Sequence, residues 1–314
     1  MKILFMGTPD FAKEALEAVY NSGYEIVGVV TNPDKPKGRG MKTFPSPVKE
    51  YAMSKGLKIY QPEKIKNNAT FIDEIKVLNP DVICVVAYGK ILPKEILDIP
   101  KLGCINVHGS LLPKYRGAAP IQWAIINGDK ITGITTMYMD VGMDSGDMIL
   151  KEEVEIGQDE TTGELWAKLA KIGGKLLVKT LEKIEKRTAP KIPQPENFSM
   201  APMLNKEMSN IDWDTKNALE IKNLVRGLDP IMGTYSYLNG KKIKIWKVDI
   251  VNQDVPNVDN GTIIKADSKD GLYIKVKDGI IKVLEIQGEN AKRMKIQDFL
   301  RGNSIEIGSK FEKI

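Results

Sequence analysis

Two polar residues, Asn106 and His108, lie two positions apart in the sequence Gly-Cys-Ile-Asn-Val-His-Gly-Ser-Leu-Leu-Pro. His108 is the only histidine in the chain. The imidazole of histidine titrates near neutral pH, so it suits proton transfer. A lone histidine is nevertheless more often structural than catalytic, and its position in the fold has to decide between the two roles.

The spacing of the pair places both side chains on one side of a predicted strand. Residues two apart on a strand point to the same face, so Asn106 and His108 project together. The run 102–108 is apolar and is predicted to be a parallel strand. Open α/β sheets bind their ligands at the carboxyl ends of such strands. The pair therefore indicates a ligand-binding site, although Asn106 could instead only hold the loop that follows.

The residues after the pair form a candidate pocket wall. Gly109 allows a tight exit from the strand, and residues 110–113 are stiff and apolar. The sequence Tyr-Arg-Gly-Ala-Ala-Pro at 115–120 then leads into a predicted helix that contains Trp123 and Ile126. These residues could line an apolar pocket for a planar ligand, or they could form a packed surface loop.

A carboxylate beside His108 would hold the imidazole and favour its charged form. Asp144 is the best candidate, because the glycines on both sides in Val-Gly-Met-Asp-Ser-Gly-Asp let the backbone approach another element closely. Asp140 and Asp147 are competitors. An aspartate in a glycine-rich turn is also a common turn residue, and that interpretation stays open.

A sheet is needed to hold these residues, and the first half of the chain alternates strand-like and helix-like segments. Apolar runs at 2–6, 25–31, 81–87 and 102–108 are predicted strands, with helices after residue 9 and within 64–78. Strands that alternate with helices predict βαβ units. We therefore expect an α/β fold, with a Rossmann-like, mostly parallel sheet and helices on both faces.

One segment interrupts this alternation. Residues 31–47 are basic, rich in proline and glycine, and long for a connection. Such loops are often functional, although a solvated surface loop has the same composition. Further on, an apolar stripe predicts one long helix over residues 161–187, and the prolines that follow it predict a linker.

After the predicted linker the pattern changes to short strands. A helix at 217–227 precedes five predicted strands, at 233–238, 242–250, 261–266, 271–275 and 280–287, which are separated by turn signals such as Asn-Gly at 239–240. Five short strands in a separate module predict a small OB-like β-barrel. The predicted domains are therefore 1–187, with the inserted basic loop 31–47, a linker at 188–206, and the barrel domain at 207–314.

Composition sets broad limits on the class of protein. The chain has 314 residues, is 42% hydrophobic and 28% charged, and carries a formal net charge of +5. That balance is typical of a globular protein with a full core, and the mild positive charge permits a polyanionic partner without requiring one. No apolar stretch is long enough for a signal peptide or a membrane helix. Cys84 and Cys104 are expected to be buried, without a disulfide or a zinc site, and the expected location is the cytoplasm.

Together these motifs resemble a known family, the folate-dependent formyltransferases. The resemblance rests on Asn106 and His108, on Ser-Leu-Leu-Pro with Tyr-Arg-Gly-Ala-Ala-Pro, and on Asp144 within Met-Asp-Ser-Gly-Asp. The opening Gly-Thr-Pro-Asp-Phe-Ala, the basic loop around Lys-Gly-Arg-Gly and the C-terminal β module look like the family members that act on methionyl-tRNA, over nearly the full length.

The resemblance implies transfer of a formyl group from 10-formyltetrahydrofolate, a co-substrate, to the amino group of methionine on initiator tRNA. The amine attacks the formyl carbon and creates a tetrahedral oxyanion. Asn106 is then expected to donate a hydrogen bond to that oxygen, an interaction commonly worth ~3 kcal/mol of the barrier. His108 is expected either to stabilise the same charge as a cation or to accept the proton of the amine as a base. Asp144 is expected to orient His108.

The same resemblance implies contacts to both substrates. Folate contacts are expected from Ser110, Leu111, Leu112 and Pro113, and from the segment that holds Val86, Tyr88 and Gly89. Contacts to tRNA are expected from Arg39, Lys35, Lys37 and Lys42 in the basic loop, and from the barrel residues Lys241, Lys242, Lys244, Lys247, Lys292, Arg293 and Lys295. The barrel lysines could instead be the solvated face of a strand. No metal is expected, and nothing in the sequence requires more than a monomer.

Other functions remain alternatives. Formyltransferases for glycinamide ribonucleotide or amino sugar nucleotides, and the hydrolase of 10-formyltetrahydrofolate, would share the three catalytic residues, but they give no reason for the basic loop. A dinucleotide-binding oxidoreductase fits the opening strand, yet the turn offers only Gly7 instead of the pattern G-x-G-x-x-G. A non-catalytic RNA-binding protein fits the barrel and the basic loop, but it leaves Asn106 beside the single histidine unexplained.

Overall fold

The computed structural model of the chain describes residues 1–37 and 42–313. The chain divides into two units: the first comprises Met1–Pro120, Ile131–Glu155 and Trp166–Ala201, and the second comprises Ile121–Lys130, Ile156–Leu165 and Pro202–Ile314. This division differs from the expected domains in two respects. Two short segments, the second of which includes the start of the long helix, join the second unit, and the expected linker belongs to the first unit as far as Ala201.

Apolar runs in the first unit form the expected sheet. The strands of the first unit are β1 (Lys2–Gly7), β2 (Glu25–Val30), β3 (Lys35–Lys37), β4 (Lys42–Phe44), β5 (Ile59–Tyr60), β6 (Val82–Val86), β7 (Cys104–His108), β8 (Arg116–Gly117), β9 (Ile131–Tyr138), β10 (Met148–Glu155) and β11 (Met200–Ala201). Seven of them form one sheet in the order β10-β9-β7-β6-β1-β2-β5. The strands from β7 to β5 in that order pair in parallel, and β9 and β10 add an antiparallel edge.

Helices cover both faces of this sheet because apolar residues point to both sides of its buried strands. The helices of the first unit are α1 (Asp10–Asn21), α2 (Pro47–Ser54), α3 (Ala69–Leu78), α4 (Lys94–Leu97) and most of α6 (Thr162–Glu185), whereas α5 (Pro120–Ile126) belongs to the second unit after its first residue. Leu4 and Ile83 cluster on one face with Ile75 of α3. Val107 points to the opposite face, where its side chain lies beside Gly173 of α6. The predicted Rossmann-like sheet is therefore confirmed.

The two ends of the basic loop pair with each other as a short hairpin. β3 and β4 pair antiparallel, so that Lys35 lies opposite Phe44 and Lys37 lies opposite Lys42. The sequence had indicated only an irregular loop here, because Pro36 and the nearby glycines are unusual in strands. Arg39, the residue expected to contact tRNA most directly, lies outside the described residues.

The expected linker is an ordered part of the first unit. We call residues 190–201 the bracing segment. Ile192 exchanges two backbone hydrogen bonds with Met148, and β11 pairs in parallel with β8. Prolines in this segment prevent a helix or a long strand, but they leave single bridges of this kind possible.

The second unit is built on an antiparallel sheet. Its strands are β12 (Thr234–Leu238), β13 (Lys241–Val251), β14 (Ile263–Asp267), β15 (Gly271–Val276), β16 (Gly279–Gln287), β17 (Met294–Lys295) and β18 (Phe311–Glu312), with helices α7 (Ala218–Leu228) and α8 (Ile296–Gly302) and a short 3₁₀ turn at Glu207–Ser209. The order is β14-β15-β16-β13-β12-β18, with β17 beside β16.

The chain just before and within β18 curls this sheet. β18 pairs with β12, while Phe311 donates its backbone N–H to the Gly261 carbonyl and Ile263 donates to the Ser309 carbonyl at the start of β14. The enclosed core includes Trp213, Ile245 and Phe311. The predicted OB-like module is therefore confirmed as an antiparallel OB-like half-barrel.

Two further expectations concern the cysteines and membrane-spanning helices. Cys84 and Cys104 are buried and unpaired, as expected, and burial raises the pKa of the Cys104 thiol to about 12. Across residues 1–37 and 42–313, no helix combines the length and the apolar character that crossing a bilayer requires.

Candidate active site

β7 carries Asn106 and His108 to the edge of the sheet where the parallel strands end. Asn106 pairs with Val85 of β6 on one side, and His108 lies opposite Thr135 of β9 on the other. Asn106 is half-buried, and His108 is only 6% exposed. The two side chains alternate with Ile105 and Val107, so they share a face, as the spacing predicted.

Both ring nitrogens of His108 face oxygen atoms. Nε2 lies 2.9 Å from the carbonyl oxygen of Tyr115, and Nδ1 lies 3.6 Å from Oδ2 of Asp144. A carbonyl oxygen only accepts hydrogen bonds, so Nε2 carries a proton and donates it. A neutral imidazole has one N–H, whereas the charged ring has one on each nitrogen. The ring therefore has one nitrogen directed at a backbone carbonyl and the other toward the Asp144 carboxylate.

The position of Asp144 is fixed in part by a hydrogen bond to its side chain. Its Oδ2 accepts a hydrogen bond from the Gly117 N–H at 2.8 Å, and its backbone adopts the left-handed φ of 51°. Asp140 uses its carboxylate locally instead, accepting from the Gly142 N–H at 2.9 Å and from the Ser145 hydroxyl at 2.8 Å. Of the described carboxylates, Asp144 is the one within ion-pair distance of His108. The geometry therefore favours Asp144, and Asp140 is a turn residue.

The loop after His108 is held by a buried threonine. Thr135 donates its hydroxyl to the Ser110 carbonyl at 2.7 Å and accepts from the Leu112 N–H at 3.0 Å. The Ser110 hydroxyl turns inward and donates to the Lys114 carbonyl at 2.6 Å. Ser110 and Leu112 are fully buried, whereas Leu111 and Pro113 are half-buried. Of the four expected folate residues, only Leu111 and Pro113 thus offer accessible side chains.

The second expected folate segment is a sharp turn after β6. Ala87 has a φ of 44° and Gly89 a φ of 74°, and both are exposed. Val86 and Tyr88 are buried instead, and the Tyr88 carbonyl accepts a hydrogen bond from the Asn32 amide at 2.9 Å. Burial raises the pKa of the Tyr88 hydroxyl to about 12. The accessible part of this turn is therefore the backbone around Gly89, together with Ala87, which the sequence analysis did not single out.

Sequence reasoning missed the residues that hold the loop carrying Tyr115. The Ser199 hydroxyl accepts from the Tyr115 N–H at 2.9 Å, and the Ser199 carbonyl accepts from the Arg116 N–H at 2.8 Å. Tyr115 in turn supplies the carbonyl that faces His108. No sequence signal could have identified Ser199, because it follows a run of prolines that is typical of a linker.

The cations expected to bind tRNA differ in how they are held. Lys35, Lys241 and Lys242 are exposed. The ammonium of Lys242 lies 3.5 Å from the centre of the Tyr235 ring. Lys244 is half-buried and donates to the Met232 carbonyl at 3.1 Å. The side chains of Lys37 and Lys42 lie outside the described part of the chain.

Arg293, another cation expected to contact tRNA, is paired with acidic side chains. Its guanidinium forms two hydrogen bonds to the carboxylate of Asp229, at 2.8 and 2.9 Å, and an ion pair with Glu285. Two carboxylates therefore compensate the charge of Arg293, whose side chain is 36% exposed. Among the described residues, no group of three or more histidine, cysteine or acidic side chains is placed to hold a metal ion.

The chain matches known families over most of its length. Residues 1–181 match the family described as formyl transferase, and residues 203–304 match the formyl transferase C-terminal domain. The chain belongs to the formyl transferase family. It is therefore an enzyme of formyl transfer, as the resemblance of its motifs implied.

Relatives of this formyl transferase match it from end to end. The protein named methionyl-tRNA formyltransferase in Clostridioides difficile strain 630 is 53% identical over 98% of this chain and 99% of its own length. The protein of the same name in Caldanaerobacter subterraneus subsp. tengcongensis is 50% identical over 98% of this chain and 99% of its own length.

A solved structure agrees on the fold. An N-formyltransferase from Helicobacter canadensis, in complex with folinic acid and dTDP-3-aminofucose, matches this formyl transferase with a TM-score of 0.67 at 20% identity. The match covers 94% of this chain and 100% of that chain. At this identity the likeness supports the architecture, and the substrate has to be argued separately.

Proposed function

We propose that this formyl transferase moves the formyl group of 10-formyltetrahydrofolate to the amino group of methionyl initiator tRNA. The product is formylmethionyl-tRNA, which serves translation initiation. The observation that carries the proposal is the 3.6 Å approach of Asp144 to His108 at the end of β7, in a chain that matches methionyl-tRNA formyltransferases over 98% of its length. The geometry supports the chemistry, and the relatives support the choice of substrates.

The reaction exchanges one amide bond for another. The amine of methionine attacks the formyl carbon, which the folate supplies, and the carbonyl oxygen becomes an oxyanion. The bond from the formyl carbon to N10 then breaks, the amine loses one proton and N10 gains one. Asn106 suits the role of oxyanion donor, because its amide is half-buried and forms no side-chain hydrogen bond within the described part of the chain.

His108 is proposed to stabilise the oxyanion electrostatically rather than to act as a base. A base needs a ring nitrogen without a proton, directed at the group that loses one. In this site Nε2 faces the Tyr115 carbonyl and Nδ1 faces the Asp144 carboxylate, so each ring nitrogen is already directed at an oxygen atom of the protein. A charged ring beside Asn106 would stabilise the oxyanion electrostatically, while Asp144 compensates the charge between turnovers.

The folate is proposed to contact the parts of both loops that face outward. Leu111 and Pro113 offer apolar side-chain surface for a planar ring, and the turn at Gly89 offers exposed backbone. Ser110, Leu112, Val86 and Tyr88 would support these surfaces from inside. A Leu111→Ala substitution should therefore raise the KM for the folate more than Leu112→Ala does, when both variants are measured under conditions in which they are folded.

The test of the catalytic residues is formylation of methionyl initiator tRNA by Asn106→Ala and His108→Ala variants. Removing one preorganised donor commonly lowers kcat by about 100- to 1,000-fold. Binding of tRNA, measured by filter retention, should be unchanged, because neither side chain is proposed to bind RNA. The exposed residue Asn252 provides a matched control, since Asn252→Ala deletes the same amide far from β7 in sequence.

Two results would reject the proposed function. One is formyl transfer to glycinamide ribonucleotide or an amino sugar nucleotide without transfer to methionyl-tRNA. The other is an equal loss of tRNA affinity in both variants, which would support an RNA-binding protein. Tight binding of NADH would favour the oxidoreductase.

The tRNA contacts need their own test. Arg39→Ala should raise the KM for tRNA and leave the KM for folate unchanged. Replacing Lys241 and Lys242 together by methionine should reduce the slope of log affinity against log salt by roughly two, because each phosphate contact contributes about one. Lys277→Met removes an equally exposed lysine of the same unit and should leave the slope unchanged. An unchanged slope in the double variant would show that neither lysine contacts the tRNA.

We further propose that the enzyme works as a monomer in the cytoplasm, where initiator tRNA is charged. Light scattering of the purified protein tests the first part, and a mass of twice the 35.0 kDa of one chain would contradict it.

A further inference from the structure

The amide of Gln194, in the bracing segment, makes three hydrogen bonds around the Asp144 turn. Its Nε2 donates to the backbone carbonyls of Asp144 and Gly146, both at 2.8 Å. Its Oε1 accepts from Nε of Arg116 at 3.0 Å. We call these three bonds the Gln194 clamp. They connect the turn that carries Asp144 to Arg116 of β8. The next residue of β8, Gly117, donates its backbone N–H to the Asp144 carboxylate.

The orientation of the amide is determined by its partners. Two carbonyl oxygens can only accept, so the NH₂ group must face them, and the guanidinium of Arg116 can only donate, so it must face the oxygen. A flipped amide would oppose like groups at all three contacts. Arg116 is itself held, because its guanidinium stacks 4.3 Å from the centre of the Phe198 ring, which also belongs to the bracing segment.

The contacts form a closed ring with Asp144. The Asp144 carboxylate accepts from the Gly117 N–H, Gly117 adjoins Arg116, Arg116 donates to Gln194, and Gln194 donates back to the Asp144 carbonyl. Asp144 needs such support because its left-handed φ of 51° is unfavourable for a residue with a Cβ. Without support the turn would relax, and the direction of the carboxylate would change.

We propose that Gln194 is a positioning residue of the formyl-transfer site, which holds the Asp144 carboxylate against His108. The inference rests on the role of Asp144 in the proposed function. Gln194 touches neither the imidazole nor the space beside Asn106, and it acts only through the turn. Its substitution should therefore affect kcat and leave the KM of both substrates unchanged.

The test is a double-mutant cycle of Gln194→Met and Asp144→Asn in the full-length enzyme. Methionine preserves the length of the side chain and deletes all three hydrogen bonds. We expect Gln194→Met to lower kcat on the order of 10-fold, because a small displacement of the Asp144 carboxylate from His108 weakens its effect on the reaction. In the Asp144→Asn background the same substitution should cause little further loss, because the group that it positions is already gone.

A second measurement reports the geometry without activity. The Gly117 amide is held by the Asp144 carboxylate, so its hydrogen exchange should become faster in Gln194→Met. Asn197→Leu is the matched control, since it removes an exposed amide from the same segment. That variant should leave kcat, the cycle and the Gly117 exchange unchanged. Melting temperatures of both variants identify any general loss of folding.

The outcomes separate the two proposals. Equal fold losses of kcat in both backgrounds, or unchanged exchange at Gly117, would overturn the positioning role of Gln194 and leave the proposed function standing. Wild-type turnover in Asp144→Asn would reject the catalytic role of Asp144 and the positioning role together. Failure of the unmodified protein to formylate methionyl-tRNA would reject the proposed function alone, because the Gly117 exchange still tests the clamp.

Discussion

Thr135 shapes the site as much as the side chains that face the substrate. It is fully buried opposite His108, and its hydroxyl bonds the Ser110 carbonyl and the Leu112 N–H. These two backbone groups belong to a loop with no regular structure, so they have no ladder partners. One threonine therefore satisfies two groups whose burial without a partner would cost about 1–3 kcal/mol each.

Thr135→Val tests this role at the level of one residue. Valine has the same shape but no hydroxyl, so we expect the free energy of unfolding to fall by about 2 kcal/mol. We also expect kcat to fall, because the loop that follows His108 would loosen. Urea denaturation and the formylation rate measure the two effects.

Thr132→Val is the matched control for Thr135. Thr132 is buried on the same strand, β9, and forms no side-chain hydrogen bond among the described residues. Its substitution should change neither quantity by much. Similar effects of both substitutions would mean that any β-branched polar residue on this strand matters, and that the loop does not depend on the hydroxyl of Thr135.

At the level of elements, the pairing of β8 with β11 connects the bracing segment to the loop behind His108. The close approach of the two strands requires a glycine. A Cβ at Gly117 would lie 2.8 Å from the Ala201 carbonyl oxygen, and Gly117 has a φ of 121°, which a side chain disfavours. Gly117 also donates the N–H that holds Asp144.

Gly117→Ala should therefore separate β8 from β11 and misalign Asp144. We expect kcat to fall by at least ~10-fold, because a displacement of about 1 Å in a catalytic group can cost about 100-fold. Gly23→Ala is the control, since Gly23 also has a positive φ, of 83°, but no atom lies within 4 Å of the added Cβ. That variant should lose about 1 kcal/mol of stability and keep its kcat. Steady-state kinetics that do not distinguish the two variants would contradict the role of the pairing.

At the scale of the whole molecule, each of the two units buries a hydrophobic cluster of its own. The first unit buries Leu4, Ile83 and Ile75 in one of its clusters, and the second buries Trp213 and Phe311, whose ring centres lie 5.8 Å apart. Each core is closed by its own sheet. A large cavity in one core should therefore reduce the stability of that unit first.

Phe311→Ala should lower the stability of the second unit by about 3–5 kcal/mol, because it deletes a fully buried aromatic ring. Calorimetry should then show an added transition at lower temperature. Ile250→Ala, at a position that is 40% exposed in the same unit, is the control and should preserve the unfolding profile. A single transition shifted as a whole would show that the two units unfold cooperatively.

The amino-acid sequence determined the pattern of elements and singled out Asn106 and His108 as the proposed catalytic pair. Apolar periodicity is a local property, so the parallel strands, the long helix and the short strands of the half-barrel could be predicted from it. The two-residue spacing of Asn106 and His108 was enough to place them on one face at the end of β7. The antiparallel strands β9 and β10 were not predicted, although β9 is rich in β-branched residues.

Only the tertiary structure decided which residues hold the pair in place. Asp144 is distinguished from Asp140 by a hydrogen bond from Gly117, which lies 27 positions earlier in the chain. Gln194, which donates to the Asp144 carbonyl, lies 50 positions later. Ser110 and Leu112 turned inward because Thr135 binds their backbone. Such contacts join segments that carry no common local pattern. A proline-rich segment therefore looked like a linker in the sequence, whereas in the fold it forms hydrogen bonds with the turn that carries Asp144.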